Sequence, residues 1–272
     1  MDIDARGPDA ARARPRLSVV LITKNEAHRL ADCLARVAFA DEVVVVDSGS
    51  GDGTPALARR LGARVVETAD WPGFGPQKNR ALDAASGDWV LSLDADEQVS
   101  DTLAAQLRRA VAVPDAVADA DADADAPVAY TVSRLSSLCG RWLRHGDWYP
   151  DPVLRLFRRG AARFSDDLVH ERVVCAGRVG HLDGHLLHAS MPTLDDCLDK
   201  MNRYSSQRAL QLRRRGKAGG LRAAVGHGVW AFLRSYLLKR GFLDGRMGFV
   251  VAVSIAEGTY YSYLKTALRP KE

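Results

Sequence analysis

The sequence lacks several features that mark large classes of protein. Its four cysteines (Cys33, Cys139, Cys175 and Cys197) are widely spaced and form no Cys-x-x-Cys pair, so we expect neither disulfides nor a zinc site. A net charge of +4 on 272 residues is too mild to indicate nucleic-acid binding by itself. Residues 1–16 are polar and alanine-rich and contain no apolar core typical of a secretion signal. We therefore expect a disordered leader over residues 1–16 and a cytoplasmic protein.

The first half of the chain alternates short apolar runs with helical patterns, and hydrophobic residues at 47% suffice for a full core. One helix is predicted from Leu30, Cys33, Leu34 and Val37 at helical spacing. A second is predicted to be capped by Thr54, to bury Leu57 and Leu61 and to end at Gly62; a third covers Gln77 to Ala85. This alternation predicts a doubly wound α/β fold with a mostly parallel sheet. The predicted strands are Leu17–Thr23, Glu42–Asp47, Arg64–Glu67 and a run from Trp89 that ends at Asp94.

Polar side chains follow three of these strands, at Thr23, at Asp47, and at Asp94 with Asp96. Ligands of such folds bind outside the carboxyl ends of the strands. Carboxylates at positions i and i+2 of a strand share one side, so Asp94 and Asp96 are predicted to converge on one cation. Oxygen ligands favour Mg²⁺ or Mn²⁺, held partly by substrate phosphates. The alternative for an isolated Asp-x-Asp is a solvated acidic turn.

Four motifs follow one another in the first half of the chain: Val20 to Glu26, Val45 to Thr54, Gln77 to Ala81 and Leu93 to Glu97. In this order they resemble the nucleotide-sugar half of the inverting family 2 glycosyltransferases, which have the GT-A (Rossmann-like) fold. A narrower resemblance, to the lipopolysaccharide-core β-1,4-glucosyltransferases, rests on Trp71 to Arg80 and Gly241 to Gly245. One departure is Lys24, where many members carry a tyrosine that stacks on the donor's base.

The resemblance implies a role for individual residues. The acceptor half would supply the base, for which Glu171 in Val169-His-Glu171 is favoured and Asp167 is the reserve; alternatively, Glu171 pairs with a nearby arginine. On helical position alone, Lys78 would be simply solvated. Arg155 and Arg158 suit phosphate oxygens, or are charges at a sheet edge. The implied donor-binding residues are Ile22, Thr23, Glu26, Asp47, Lys78, Asp94 and Arg155, and the implied metal ligands are Asp96, Asp94 and His188.

The domain organisation follows from the same motifs. Residues 17–190 are predicted to form the GT-A domain, with a nucleotide-sugar half at 17–113 and an acceptor half at 128–190. Between them, residues 114–127 form an alanine- and aspartate-rich insert that we expect to be a flexible loop rather than a metal tract. The acceptor half is predicted to contain strands at Val128–Val132, Val153–Phe157 and His185–His188.

Residues 191–272 are predicted to form a C-terminal helical appendage. From Lys200 to Arg246 the chain has twelve Lys or Arg and one acid, interspersed with apolar and aromatic residues. The apolar stretch Ala223 to Leu238 is too short to span a bilayer, and Arg234 interrupts it. This basic, amphipathic pattern favours a surface that lies on anionic membrane. The alternatives are helices that pack on the core with a basic face in water, and a nucleic-acid surface without a recognisable motif.

Taken with the resemblance, these features imply a metal-dependent inverting glycosyltransferase. It would move a hexose, glucose from UDP-glucose, onto a lipid-linked lipopolysaccharide core at the inner face of the cytoplasmic membrane, with Mg²⁺ or Mn²⁺ as cofactor. Two alternatives remain: transfer to a polyprenyl phosphate, and a non-catalytic protein that only binds the nucleotide sugar.

Overall fold

The computed structural model describes residues 14–112, 126–165 and 172–268. The chain divides into two compact units, the first of Met1–Asp94, Ala104–Tyr130 and Leu154–His181 and the second of Ala95–Leu103, Thr131–Val153 and Leu182–Glu272. The predicted domain boundaries remain predictions. All of the predicted acidic insert except Ala126 and Pro127 lies outside the described residues.

Eleven strands and seven α-helices are present within these described ranges. The strands are β1 (Leu17–Thr23), β2 (Glu42–Asp47), β3 (Arg64–Glu67), β4 (Trp89–Leu93), β5 (Glu97–Val99), β6 (Ala129–Leu138), β7 (Arg141–Trp142), β8 (Pro152–Arg158), β9 (Ala162–Phe164), β10 (Val173–Cys175) and β11 (Val179–Met191). The helices are α1 (Ala27–Ala35), α2 (Thr54–Arg60), α3 (Phe74–Ala84), α4 (Asp101–Val111), α5 (Leu194–Arg214), α6 (Leu221–Leu233) and α7 (Gly245–Leu268).

The first unit contains a mixed sheet in the order β3-β2-β1-β4-β8. Strand β1 pairs in parallel with β2 and β4, β2 pairs in parallel with β3, and β8 runs antiparallel to β4. Val44, Val45 and Val46 are fully buried, as expected of a strand covered on both faces. In the β1–β2 register Thr23 lies opposite Asp47, so both fall at the carboxyl edge of the sheet.

The helices of the first unit agree with the sequence in part. Leu30, Cys33 and Leu34 lie in α1 as predicted, whereas α1 ends at Ala35, before Val37; all four residues are buried. The prediction for α2 is wrong in its cap and its buried face. Thr54 lies inside the helix, where its backbone N–H donates to the Asp52 carboxylate (3.0 Å), and the buried residues are Thr54, Pro55 and Ala58, whereas Leu61 is 45% exposed. Helix α3 starts at Phe74, three residues before the predicted Gln77.

The strands of the second unit are longer than the sequence indicated. Strand β6 is adjacent to β11 and also pairs with the short β7. Strand β11 pairs antiparallel with β5, which places His188 opposite Glu97. Gly184, at φ +99°, allows a close approach in this unit: a Cβ there would lie 2.5 Å from the backbone nitrogen of Leu103.

The C-terminal helices of the second unit pack through small residues. A Cβ at Gly228 of α6 would lie 3.3 Å from the carbonyl oxygen of Ala256 in α7, and one at Gly258 of α7 would lie 3.1 Å from Met201 Cγ in α5. Thr193 begins α5 with a capping box in which its hydroxyl accepts from the backbone N–H of Asp196 (3.1 Å). In the part of the chain that the structure describes, no helix is both long and apolar enough to cross a membrane.

Candidate active site

Asp47 organises the carboxyl ends of β1 and β2. Its buried carboxylate accepts hydrogen bonds from the Thr23 hydroxyl (2.8 Å) and from the backbone N–H and hydroxyl of Ser50 (2.8 and 2.6 Å). Thr23 and Asp47 were both predicted to bind the donor, and the structure brings them into direct contact. Because Ser50 lies in the loop after β2, Asp47 also fixes the start of that loop.

The loops that follow β1 and β2 are tied to each other. The Asn25 backbone N–H donates to the Ser50 hydroxyl (2.7 Å), and the Asn25 side-chain oxygen accepts from the Gly51 N–H (2.9 Å). Asn25 adopts φ +60°, a left-handed conformation that asparagine tolerates better than most residues. The sequence analysis did not identify Asn25 as a positioning residue, although an asparagine two residues after the end of a strand is a signal that could have found it. Nearby, Glu26 donates its backbone N–H to the Thr54 hydroxyl (2.9 Å), and Ile22 is half-buried.

Asp94, at the end of β4, is held between two cations. Lys78 Nζ lies 3.1 Å from its Oδ1, and Arg155 Nη2 donates to its Oδ2 at 2.7 Å. Both cations are buried, with residue exposures of 6% each. Desolvation opposes ionisation of Asp94, but the charges of Arg155 and Lys78 outweigh it and hold the pKa of Asp94 well below its ordinary value. The position-based expectation that Lys78 is solvated is wrong, because α3 turns this side chain inward.

Asp96 belongs to the second unit and contacts a histidine. His188 Nε2 lies 3.2 Å from Asp96 Oδ2, while His188 Nδ1 lies 3.1 Å from the Ser136 hydroxyl. The ring is therefore held on both nitrogens, which fixes its orientation. The backbone also joins the two segments, since the Ala189 N–H donates to the Asp96 carbonyl (3.3 Å).

The residues around Asp96 fit a divalent cation only in part. Among residues 14–112, 126–165 and 172–268, no group of three or more His, Cys, Asp or Glu is arranged to hold a metal ion. Asp96 and His188 form a two-residue set, which suits an ion that takes its other ligands from substrate phosphates and water. Asp94 differs, because each of its carboxylate oxygens already faces a cation.

Glu171 and Asp167, the predicted bases, lie outside the described residues. Arg158 packs over the Trp89 ring, with its guanidinium carbon 4.8 Å from the ring centre.

Comparison with known proteins assigns the chain to a family. Residues 18–164 match the family model for glycosyl transferase family 2. The lipopolysaccharide core biosynthesis glycosyltransferase LpsC of Rhizobium meliloti is 31% identical over 262 residues, covering 92% of this chain and 90% of that protein. The chain belongs to glycosyltransferase family 2. A Rickettsia typhi protein described as an uncharacterized glycosyltransferase is 30% identical over 251 residues, covering 89% of this chain and 83% of its own.

The fold of this family 2 glycosyltransferase also has a solved counterpart. A mannosyltransferase from Pyrobaculum calidifontis, solved with GDP-mannose and Mn²⁺, aligns over 96% of this chain and 89% of its own with a TM-score of 0.55 and 21% identity. The predicted GT-A fold with a C-terminal helical region is thereby confirmed, and so are the predicted family and enzyme class.

Proposed function

We propose that this family 2 glycosyltransferase transfers glucose from UDP-glucose, with inversion, onto a lipid-linked lipopolysaccharide core acceptor. The observation that carries the acceptor class is the similarity to LpsC along nearly the whole of both chains. Inverting transfer needs three things: a donor pocket, a charge that balances the departing diphosphate, and a base on the acceptor side.

The donor pocket is assigned to the first unit. Thr23 and Asp47 lie at the carboxyl edge of its parallel strands, the position at which such sheets bind nucleotides. With Ile22 and Glu26 they would contact the nucleoside. Lys78 and Arg155 carry two buried positive charges that Asp94 orders, and they would face the donor's phosphates from fixed positions.

The metal is assigned to Asp96 and His188. Mg²⁺ or Mn²⁺ bound there would neutralise negative charge on the leaving diphosphate. Asp96 supplies the hard oxygen ligand, and Ser136 keeps the His188 ring turned toward it. The two cations on Asp94 weigh against direct ligation by that residue, so we place Asp94 on the donor side.

The base is assigned to Glu171, with Asp167 in reserve. The carboxylate would take the proton from the acceptor hydroxyl as its oxygen attacks the anomeric carbon. Glu171→Gln should reduce transfer while donor binding stays intact, and Asp167→Asn is the matched comparison. Equal losses in both variants would leave neither as the base.

A membrane surface is assigned to the C-terminal helices, which would place the enzyme at the inner face of the cytoplasmic membrane. Large apolar side chains are exposed along α6 and the turns after it, among them Val229, Trp230 and Leu238 at 54%, 54% and 64%. Exposed arginines and lysines, including Lys239 and Arg240, lie in the same segments. Exposed apolar residues beside basic ones suit an anionic lipid surface.

Vesicle co-sedimentation tests this surface. Leu238→Ser should weaken binding to vesicles that contain phosphatidylglycerol, whereas Leu61→Ser, an exposed leucine of the first unit, should not. Binding that is equal for phosphatidylcholine vesicles with and without phosphatidylglycerol would contradict an anionic surface.

The function itself is tested by a panel of UDP-sugars scored for UDP release on truncated lipopolysaccharides, with and without EDTA. The expected result is UDP release with UDP-glucose that EDTA abolishes and that requires the lipid acceptor. Transfer to polyprenyl phosphate instead would replace the acceptor assignment, and UDP binding without turnover of any donor would favour a non-catalytic binding protein.

A further inference from the structure

A cavity of about 450 Å³ lies wholly within the second unit, between strands β6 and β11 and helices α5 and α7. His188 lines it, so whatever occupies the cavity sits beside the residue that contacts Asp96. Trp148 and Tyr204 contribute aromatic surface, and Met201 and Ile255 contribute apolar surface. Aromatic and apolar surface near hydrogen-bonding groups is the usual lining of a small-molecule site.

The acids that line the cavity are already paired. Arg134 donates to Asp151 from Nε at 2.8 Å and lies 2.7 Å from it through Nη2. Asp147 is bound by Arg234 (2.8 Å) and Lys239 (2.7 Å). Neither carboxylate therefore presents an unbalanced negative charge to the cavity.

Among the described residues, two cations of the lining lack such compensation, the exposed Arg208 and the half-buried Lys200, and only Lys200 is withdrawn from solvent. Within the described ranges the Lys200 ammonium donates no hydrogen bond and forms no ion pair, and it lies 6.0 Å from the centre of the Tyr204 ring. Desolvation is the main cause that lowers the pKa of Lys200, repulsion from Arg134 and Arg203 adds to it, and Asp96 opposes it. A half-buried ammonium without a hydrogen-bond acceptor costs free energy that a bound anion would offset.

We propose that this cavity binds the acceptor sugar and that Lys200 recognises an anionic group on it, a phosphate or a carboxylate. This inference rests on the proposed function and adds the chemical class of the acceptor. The aromatic side chains would cover the sugar's apolar face. Lys200 is then a specificity-determining residue of the acceptor site.

Binding of small probes tests the cavity without any need for turnover. By calorimetry, glucose 6-phosphate and glucuronate should bind more tightly than glucose by about 10- to 100-fold, the range expected for a charged hydrogen bond. Lys200→Met should remove that difference and Lys200→Arg should restore part of it. Lys217→Met, which removes the same charge from an exposed site outside the cavity lining, should change nothing. Equal binding of all three sugars to the wild-type protein would overturn the proposal.

Steady-state kinetics then separate acceptor from donor. Lys200→Met should raise the acceptor KM and leave the affinity for UDP unchanged. A larger loss for UDP than for the acceptor would assign Lys200 to the donor diphosphate and overturn the proposal. The acceptor can be supplied as isolated truncated lipopolysaccharide, after dephosphorylation, or after carboxyl reduction. The treatment that raises KM identifies the anionic group that Lys200 recognises. If no UDP-sugar is turned over but the anionic probes still depend on Lys200, the proposed function fails and the anion site stands.

Discussion

Asp94 and Asp96 are separated by a single residue in the chain, yet their surroundings differ in kind. Asp94 follows the last strand of the parallel set in the first unit and faces two buried basic side chains, Lys78 and Arg155. Asp96 belongs to the second unit and contacts the imidazole of His188, which has no permanent charge. The Asp-x-Asp pattern makes the two aspartates look equivalent, whereas the contacts divide them.

The difference shows how a motif distributes roles. A carboxylate between two buried cations is held in place and balances their charge, and it gains little by binding a third cation. A carboxylate beside an imidazole, a group without a permanent charge, keeps its own negative charge available for one. We therefore expect Asp94 to matter for folding and donor positioning and Asp96 to matter for metal-dependent chemistry.

Asp96→Asn is the strongest test of the different roles assigned to Asp94 and Asp96. If Asp96 carries the metal, transfer should fall by about a thousandfold, since metal stabilisation of a leaving group is worth several kcal/mol. The melting temperature should stay near that of the wild type. Asp183→Asn, an exposed acid on β11, is the control and should have full activity. A variant with wild-type turnover that still requires the metal would move the metal site elsewhere.

A smaller loss is expected when the histidine is changed. His188→Gln should weaken Mn²⁺ activation by about 10- to 100-fold, the usual cost of removing a group that binds or orients a metal ligand. Raising the Mn²⁺ concentration should recover part of the activity, measured as UDP release. His181→Gln, exposed on the same strand, provides the comparison. Failure of excess Mn²⁺ to recover any activity would argue that His188 acts on the substrate.

The strands that lead to these sites could be predicted from the sequence, but the contacts of the aspartates could not. Strands β1, β2 and β3 have the predicted bounds. For β1 and β2 the reason is that a strand buried on both faces is a continuous apolar run. Lys78 gave no such signal, because a lysine near the start of a helix normally points to water. Its burial depends on Asp94 and Arg155, and Arg155 is 61 positions from Asp94 in the chain.

The same distinction explains the errors in α2 and the missed cavity. Helix α2 has two turns, so a small rotation decides which residues it buries, and Ala58 is buried where Leu61 was expected. The cavity around Lys200 combines residues from strands and helices more than a hundred positions apart, Arg134 and Ser254 among them. Periodicity reports one element at a time, so it cannot reveal such a combination.

Asp94→Asn tests the expectation that Asp94, unlike Asp96, contributes to the stability of the folded protein. It leaves Lys78 and Arg155 buried without their carboxylate, so the free energy of unfolding should fall by about 2 kcal/mol. Urea denaturation measures this loss, and Asp96→Asn provides the matched variant that should not show it. Equal losses of unfolding free energy in the two variants would contradict the different roles proposed for Asp94 and Asp96.

The pH dependence of that loss has a definite sign. The pKa of Asp94 in the folded protein lies below its ordinary value of 3.8, so its contribution to stability is fully present above that pH. It diminishes as the pH falls below 3.8 toward the folded-state pKa. The stability difference between wild type and Asp94→Asn should therefore be constant near neutral pH and narrow in acid. A difference that widens in acid would contradict the assignment.

Arg155→Lys should have the smallest effect, because it keeps the charge and loses only the reach and planarity of the guanidinium. The Nη2 hydrogen bond of 2.7 Å to Asp94 would be lost or lengthened, and we expect a stability loss of about 1 kcal/mol or less. Urea denaturation and the KM for the nucleotide sugar are the measurements. A stability loss as large as that of Asp94→Asn would mean that hydrogen-bond geometry holds Asp94. A negligible stability loss with a raised donor KM would mean that charge holds Asp94 and that the guanidinium contacts the donor.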